Sequence, residues 1–159
     1  MIESVWKDER DRIVVVTDGA ETRYDMPICT LFDRWHRAGL TTYEGQRKAM
    51  AKALGIRRRQ PVVIDRDTAL AMLEGPRSAA ARFVNVHALE LIEQRGDATT
   101  FVFRSGAIWR IPTPAGLARR LEDAMRASDH LYGGGIDKKM LSWCRKRKRN
   151  RGNSDPNLV

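Results

Sequence analysis

Apolar and polar residues alternate along several short stretches of this chain, a pattern typical of strands with one buried face. The β-branched run 12–17 ends at the turn dipeptide Asp18-Gly19 and predicts a hairpin that returns through residues 21–24. Further strands are predicted at 61–64, 83–86, 89–92, 99–103 and 107–111. A tight turn at residues 104–106 joins the last two of them.

Other stretches repeat their apolar residues every three or four positions and therefore predict helices. The first helix spans residues 28–35 and is ended by Gly39. The second begins at a capping box formed by Thr41 and Glu44, and it ends at Gly55.

Start signals predict two more helices later in the chain. Asp65 or Asp67 is the expected cap of a helix of one to two turns over residues 69–73. Thr113 is the expected N-cap of a longer helix, with Pro114 at its first position. The apolar face of that helix consists of Leu117, Leu121 and Met125.

Together these elements predict an α+β fold with a mostly antiparallel sheet, a few packing helices and a basic C-terminal tail. Residues 1–132 are expected to form a single α+β domain, and residues 133–159 a glycine hinge followed by a basic helix or tail. A chain of 159 residues suits one domain. The two distant cysteines and the lack of an apolar leader favour a reduced, cytoplasmic protein.

Charge adds a functional expectation to this fold. The chain has 29 Lys and Arg against 20 Asp and Glu, a net charge of +9. Residues 137–159 carry +6 of it, which leaves +3 for the body of the chain. Because displacing counterions from phosphates drives non-specific binding, this excess favours a nucleic-acid partner.

The candidate nucleic-acid-binding residues fall into three groups with two expected roles. The helix cluster and the tail are expected to neutralise phosphates without reading sequence. The two hairpin arginines are expected to read base edges, because a protruding hairpin can enter a groove. Between them Trp109 is expected in the core, together with Ile108 and Ile111. The groups are Arg47, Lys48, Lys52, Arg57, Arg58 and Arg59 in the helix cluster, Arg104 and Arg110 in the hairpin, and Arg145, Lys146, Arg147, Lys148 and Arg149 in the tail.

The sequence contains no pattern for catalysis, metal binding or a cofactor. Its three histidines are scattered, and neither His-x-x-x-His nor Cys-x-x-Cys occurs. Asp65 and Asp67 are a close carboxylate pair such as a nuclease uses for magnesium, but a capped helix start explains them without a metal. His87 is expected to be a half-buried histidine with a hydrogen-bond partner. The chain is therefore not predicted to be an enzyme.

One DNA-binding motif is suggested by the sequence and then fails. Residues 46–56 resemble the first half of a helix-turn-helix, with Gly55 at the turn. The second helix would begin near Arg57 and contain Pro61, which costs about 3 kcal/mol in a helix interior. The β-branched residues 62–64 add to the conflict, so the motif is rejected.

Four segments carry a distant resemblance to a known family. They are TYEGQRKA at 42–49, RQPVVID at 59–65, FVNVHAL at 83–89 and TFVFRSG at 100–106. Their order and spacing over residues 29–131 resemble the ComK family of competence transcription factors. Gln46 departs from the family pattern by separating Gly45 from Arg47, and Phe83 stands where the family has tryptophan. The strands and closing helix also resemble, more weakly, LytTR DNA-binding domains.

The resemblance to ComK implies a sequence-preferring regulator that binds double-stranded DNA and activates transcription as a homo-oligomer. A regulatory protein is a further expected partner, the expected location is the cytoplasm at the nucleoid, and no membrane or cofactor is expected. Two other classes stay open. One is an adaptor or antagonist that docks on protein through the nearly neutral body, and the other is an RNA-binding protein whose basic tail folds on RNA.

Overall fold

A computed structural model describes the backbone of residues 1–152 and the side chains of residues 1–147. In this part of the chain nine strands form two antiparallel sheets. The larger sheet has the order β3-β2-β1-β6-β5-β4. Its strands are β1 (Ile2–Lys7), β2 (Ile13–Thr17), β3 (Ala20–Tyr24), β4 (Val62–Asp65), β5 (Thr68–Glu74) and β6 (Arg82–Asn85).

The smaller sheet is a meander of three consecutive strands, β7 (Leu89–Arg95), β8 (Ala98–Phe103) and β9 (Ile108–Pro112). A single 3-10 turn at Val86–Ala88 connects it to the larger sheet. The α+β, mostly antiparallel architecture predicted from the sequence is therefore confirmed, and so are the hairpin at Asp18-Gly19 and the five strands predicted after it.

Four α-helices complete the described part of the chain: α1 (Ile28–Arg37), α2 (Tyr43–Leu54), α3 (Leu117–Tyr132) and α4 (Lys138–Gly152). They cover both faces of the larger sheet, and the sheet separates two cores. The α1–α2 core contains Phe32, Leu70 and Phe83, whereas the β7–β9 core contains Ala71, Phe101 and Leu121. Leu70 and Ala71 are adjacent on β5, so the two cores lie on opposite faces of the sheet.

Helix α2 covers the free edge of the larger sheet at β4. The Gln46 side chain acts there like one residue of a further strand: its Nε2 donates to the Val63 carbonyl at 2.5 Å, and its Oε1 accepts from the Val63 amide at 2.9 Å. A covered edge cannot pair with another chain. This contact also fixes α2 against the sheet and so determines where the basic residues at its C-terminal end are presented.

The buried side chain of Asn85, at the end of β6, ties the larger sheet to the 3-10 turn that leads to the smaller one. Its Oδ1 accepts from the amides of Ala69 at 3.0 Å and His87 at 3.2 Å. Its Nδ2 donates to the carbonyls of Ile2 at 2.7 Å and Asp67 at 2.9 Å. All four hydrogen-bonding positions of the amide are thus used, which is the condition for burying it without a penalty.

The predicted short helix over residues 69–73 is wrong, because these residues form the buried strand β5. Asp65 does not cap a helix; its Oδ1 accepts the amide of Asp67 at 2.9 Å within the turn that joins β4 to β5. An aspartate that stabilises a turn and one that caps a helix give the same sequence signal. The run Ala69–Leu73 is apolar throughout and has no period that separates strand from helix.

The predicted start of the first helix at residue 28 is confirmed, whereas those of α2 and α3 were wrong by one and three positions. Thr42, not Thr41, caps α2 by accepting the Gly45 amide at 2.9 Å. Helix α3 begins after Gly116, which has a φ of +67°, and Thr113 instead shares a hydrogen bond with Thr99. The C-terminal glycine Gly55 of α2 is confirmed, with a left-handed φ of +69°.

Strand β1 was not predicted, although it lies in the middle of the larger sheet. Its polar residues Glu3 and Ser4 are buried, so the apolar alternation expected of a strand is absent. Glu3 is held by the Gly19 amide, which donates to it at 2.8 Å, and by the Ser105 hydroxyl. These bonds connect β1 to two turns and remove the cost of burying the carboxylate.

The basic C-terminal segment forms α4 and packs back on the domain. Met140 and Cys144 are buried in the β7–β9 core, and Asp137 caps the helix start by accepting the amides of Lys139 and Met140. Arg145 and Lys146 are exposed, and the Arg147 guanidinium lies over the Trp143 ring at 5.5 Å. The side chains of Lys148 and Arg149 lie outside the described residues.

Candidate nucleic-acid interface

Three of the predicted cations meet at one end of the larger sheet. Arg47 in the first half of α2 and Arg57 and Arg59 in the loop after that helix line a groove of about 450 Å³. The loop after β5 forms the opposite wall and adds Arg77. Residues that are distant in sequence, 47 and 77, thus place their charges on one concave surface.

Gln60 fixes this loop against α2. Its Nε2 donates to the carbonyls of Arg47 at 2.9 Å and Ile56 at 2.6 Å, while its Oε1 accepts from the Arg47 Nε at 3.1 Å. Gln60 is buried, so these bonds are not in competition with water. They hold the loop that carries Arg57–Arg59 in one conformation, including Arg59 in a left-handed backbone with a φ of +46°.

A second cavity of about 300 Å³ adjoins the first and is lined by Arg57, Arg58, Arg119 and Arg120. Arg57 lines both cavities, so the two form one continuous basic surface. We call it the arginine surface. Its residues are Arg47, Arg57, Arg58, Arg59, Arg77, Arg119 and Arg120.

Only part of this charge is neutralised within the protein. Arg59 donates to the Leu73 carbonyl at 3.1 Å and lies 3.9 Å from the Glu74 carboxylate. Arg47 lies 3.5 Å from Glu44. None of the described carboxylates forms an ion pair with Arg57 or Arg58, and both side chains are exposed. Exposed, unpaired guanidinium groups are the groups that bind phosphate oxygens most readily.

Arg120 is half-buried, whereas the other six arginines of the surface are exposed. Its Nε is buried and donates to no acceptor in the described part of the chain. Burial lowers the pKa of its guanidinium, and the neighbouring positive charge of Arg59 lowers it further. Cations that are crowded together in this way are stabilised by an anion placed between them.

Sequence reasoning placed Arg47 and Arg57–Arg59 together but omitted Arg77, Arg119 and Arg120. The pair Arg119-Arg120 is visible in the sequence, yet nothing local shows that the start of α3 lies beside the end of α2. Lys48 and Lys52 are exposed on α2 but line neither cavity. The rejection of a helix-turn-helix is confirmed, since residues 55–61 form a loop and β4 follows.

The hairpin arginines lie apart from the arginine surface and from each other. The turn at 104–106 does not project freely, because Ser105 donates to Glu3 and the Arg104 amide donates to the Ala88 carbonyl at 2.9 Å. The expectation of a protruding hairpin is therefore wrong. Arg104 lies 3.9 Å from Asp137, and Arg110 lines a separate groove beside β9.

Three neighbouring expectations for the hairpin had different outcomes. Ile111 is buried in the β7–β9 core, as expected. Ile108 is 69% exposed, because β9 is an edge strand and its odd- and even-numbered residues face opposite sides. Trp109 packs at the margin of the same core, with its ring 5.8 Å from that of Phe101, and it also lines the separate groove.

Two of the three histidines, His36 and His87, form hydrogen bonds within the fold, and His130 is exposed. His87 is half-buried and its Nε2 lies 2.7 Å from the Ser128 hydroxyl, which confirms the expectation of a hydrogen-bonded histidine. His36 is buried, with its Nδ1 2.7 Å from the Phe32 carbonyl. No group of three His, Cys, Asp or Glu side chains suited to a metal ion occurs among the described residues. None of the helices in that part has the length and apolar character needed to cross a membrane.

Comparison of the chain with models of known protein families, with curated proteins and with solved structures found no match in any of the three. The resemblance to ComK therefore stays a prediction from the four sequence segments.

Proposed function

We propose that this protein is a duplex-DNA-binding transcriptional regulator of ComK-like type, and that the arginine surface binds its phosphate backbone. The observation that carries the proposal is the convergence of arginines from α2, two loops and α3 on two adjoining cavities that share Arg57. Seven arginines on one concave surface supply the charge that releases counterions from DNA. They also supply planar donors that fit phosphate oxygens in pairs.

In this proposal the surface sets affinity and orientation, since phosphate contacts carry no sequence information directly. Arg58 and Arg119 are exposed on the surface and are the cations that a duplex meets first. Base preference then needs a second contact. Arg104 stays the candidate for it, because it is exposed and forms only a long 3.9 Å ion pair.

The test is a titration of the full chain with duplex DNA, single-stranded DNA and structured RNA at several salt concentrations. The variant Arg57→Gln/Arg58→Gln/Arg119→Gln removes three surface charges, and Arg66→Gln/Arg95→Gln removes exposed charges elsewhere. We expect the first variant to reduce the slope of log affinity against log salt by about three units for duplex DNA, and the second to leave it near the wild-type value.

The tail is tested by charge removal rather than truncation, because a chain ending before α4 would lose Met140 and Cys144 from the core. The variant Arg145→Gln/Lys146→Gln keeps both. If duplex binding depends on these two charges and not on the arginine surface, the tail is a general polyanion contact and the proposal fails. Tighter binding of structured RNA than of either DNA, lost on that change, favours the RNA-binding class, and no binding of the unaltered chain to any of the three nucleic acids favours the protein-docking class.

Sequence preference and oligomeric state are measured next. Selection from a random duplex library should enrich one motif, and a repeated half-site would match a homo-oligomer. Enrichment of no motif, with duplex binding retained, would reduce the function to non-specific DNA binding.

A further inference from the structure

A groove of about 770 Å³ on the β7–β9 side of the larger sheet has a different chemistry from the arginine surface. It lies between the larger sheet and the edge strand β9. Two tryptophans line it together with several cations. We call it the tryptophan groove. The residues that define it here are Trp6, Arg10, Arg82, Trp109 and Arg110.

Strand register places the floor of the groove. Trp6 of β1 pairs with Arg82 of β6, so the two side chains lie on the same face of the sheet. Val84, two residues along from Arg82, is part of the β7–β9 core, so this face is directed toward β9. Trp109 shares the inward face of β9 with the buried Ile111 and approaches from the other side.

The two indoles are only partly used by the fold. Trp109 has Phe101 against it, with ring centroids 5.8 Å apart, and packs at the margin of the β7–β9 core. Trp6 belongs to neither core although it is half-buried. A large aromatic side chain that lines a groove without packing into a core offers its face to a planar ligand.

Two acidic residues, Asp8 and Glu9, line the groove; Glu9 is exposed, and Asp8 is already paired. Asp8 accepts the amides of Arg10 at 2.9 Å and Arg12 at 3.0 Å, and its carboxylate lies 3.1 Å from the Arg12 Nε and 3.5 Å from the Arg23 Nε. Burial alone raises the pKa of Asp8, but these hydrogen bonds and the Arg12 charge lower it overall, so it stays ionised.

Asp8 therefore pairs with Arg12 and Arg23, and Arg23 also pairs with Glu21 at 3.0 Å, which leaves the other cations. None of the described carboxylates forms an ion pair with Arg10, Arg82 or Arg110. Arg82 has no such partner, and because it is half-buried, water screens its charge less than that of an exposed arginine. An anion in the groove would supply that partner, with Arg10 and Arg110 exposed at its rim.

We infer that the tryptophan groove binds an unpaired nucleotide, with the base against the indoles of Trp6 and Trp109 and the phosphate on Arg82, Arg10 and Arg110. The indoles and the arginines together select this ligand. An anion alone does not use the indoles, and an aromatic ring alone does not use the arginines. Duplex DNA keeps its bases stacked inside and cannot present a base face, whereas a free nucleotide or a single strand can. The volume also lies in the range of sites that hold small organic ligands.

The inference is independent of the proposed function, because none of the residues that define the tryptophan groove belongs to the arginine surface. A regulator with both sites would bind duplex DNA at one and a nucleotide or an exposed single strand at the other. Variants in one site can therefore be tested with the other intact.

Tryptophan fluorescence is the direct measurement. The variant Trp35→Phe/Trp143→Phe leaves Trp6 and Trp109 as the only tryptophans, since the chain has four. The probes are adenosine monophosphate, a short oligothymidylate, adenosine and inorganic phosphate. We expect the first or the second to quench the emission at saturating, micromolar to millimolar concentration, and the last two to do so at least tenfold less well.

Charge and aromatic variants then locate the binding. In the same background, Arg82→Gln/Arg110→Gln should weaken binding of the quenching nucleotide by at least tenfold, and the matched variant Arg66→Gln/Arg95→Gln should not. Quenching by the monophosphate indicates a free nucleotide as ligand, and quenching by the oligothymidylate alone indicates a single strand; either result supports the inference.

Three results would overturn the inference. The first is that neither nucleotide probe quenches the emission. The second is that inorganic phosphate competes for the groove as well as adenosine monophosphate does. The third is that the Arg82→Gln/Arg110→Gln variant binds the quenching nucleotide as tightly as its parent does. Circular dichroism of that variant must match the parent. If it does not, Arg110→Gln alone is used, because Arg110 is exposed on an edge strand and its loss leaves the core unchanged.

Discussion

The arginine surface and the tryptophan groove are both basic, but they differ in what else they contain. The arginine surface collects seven arginines, and of the described aromatic residues only Tyr43, which is buried, lines it. The tryptophan groove has two partly exposed indoles among its cations and two acids, Asp8 and Glu9, of which Asp8 pairs with two of the cations; one acid, Asp123, lines the arginine surface. Charge alone attracts any polyanion, whereas an aromatic face adds a requirement for an accessible base. Two sites of like charge can thus have different ligands.

Both regions are built on the larger sheet. A substitution that destabilises this sheet should therefore have the largest effect on the protein. We expect Asn85→Ala to lower the free energy of unfolding by about 3 kcal/mol, because it leaves the amides of Ala69 and His87 and the partly buried carbonyls of Ile2 and Asp67 without their partner. Urea denaturation followed by circular dichroism measures this. A loss below about 1 kcal/mol would mean that water replaces the Asn85 bonds and that this end of the larger sheet is not closed to solvent as described.

The next prediction separates the two regions by removing one indole. Trp6→Leu should weaken single-strand or nucleotide binding by about 2 kcal/mol, the usual cost of one lost stacking contact, and leave duplex binding unchanged. Equilibrium titrations with both ligands on the same preparation measure the difference. Trp35→Leu is the control, since Trp35 is half-buried beside Phe32 and lines neither region. An equal loss for duplex DNA would mean that the two regions are one site.

The elements of the fold could be predicted where the local signal was unambiguous. The hairpin at Asp18-Gly19, the helix ended by Gly55 and the paired strands around Gly106 each combine a periodic run with a turn or cap residue. Strand β1 could not be predicted, because Glu3 and Ser4 are buried by contacts with turns that lie far away in the sequence. Strand β5 was mistaken for a helix, because an all-apolar run has no period.

Only part of the candidate site was predicted, because only part of it is formed by residues that are close in sequence. Arg47 and Arg57–Arg59 are close in sequence, so a local count of cations found them. Arg77 and the pair Arg119-Arg120 join them only through the packing of β5 and α3, which no local pattern encodes. The tryptophan groove was not predicted at all, since Trp6 and Trp109 belong to different sheets.

A smaller effect on duplex binding is expected when the arginine surface keeps its charge but loses the Gln60 hydrogen bonds that hold its loop against α2. Gln60→Leu removes the bonds to Arg47 and Ile56 and leaves every arginine in place. We expect duplex affinity to fall by about threefold, through loss of a fixed loop conformation, with the salt slope unchanged. Binding titrations at several salt concentrations separate the two quantities. A reduced slope would contradict the assignment of Gln60 to positioning alone, and an unchanged affinity would mean that the loop needs no such support.

The smallest effect concerns His87, which lies at the opposite end of the larger sheet from the arginine surface. Burial lowers the pKa of His87; Asp67 opposes that shift and Arg104 adds to it. A histidine whose folded pKa is lowered takes up its proton more readily when the chain unfolds. Its contribution to stability is therefore complete above the unfolded value of about 6.5 and is lost as the pH falls below it toward the folded pKa.

Thermal denaturation between pH 7.5 and 5 should show this loss in the wild type and a shallower decline in His87→Gln, whose side chain does not titrate. The hydroxyl of Ser128, 2.7 Å from the His87 Nε2, gives the matched variant Ser128→Ala, which keeps the titrating ring. Duplex binding of folded protein should keep its salt slope over the same interval, because His87 lines neither basic region. If His87→Gln retained the full wild-type decline, other groups would govern the acid sensitivity. If instead the salt slope changed together with the stability, the two ends of the larger sheet would be coupled. Protonation of His87 would then alter duplex binding at the arginine surface, to which His87 does not belong.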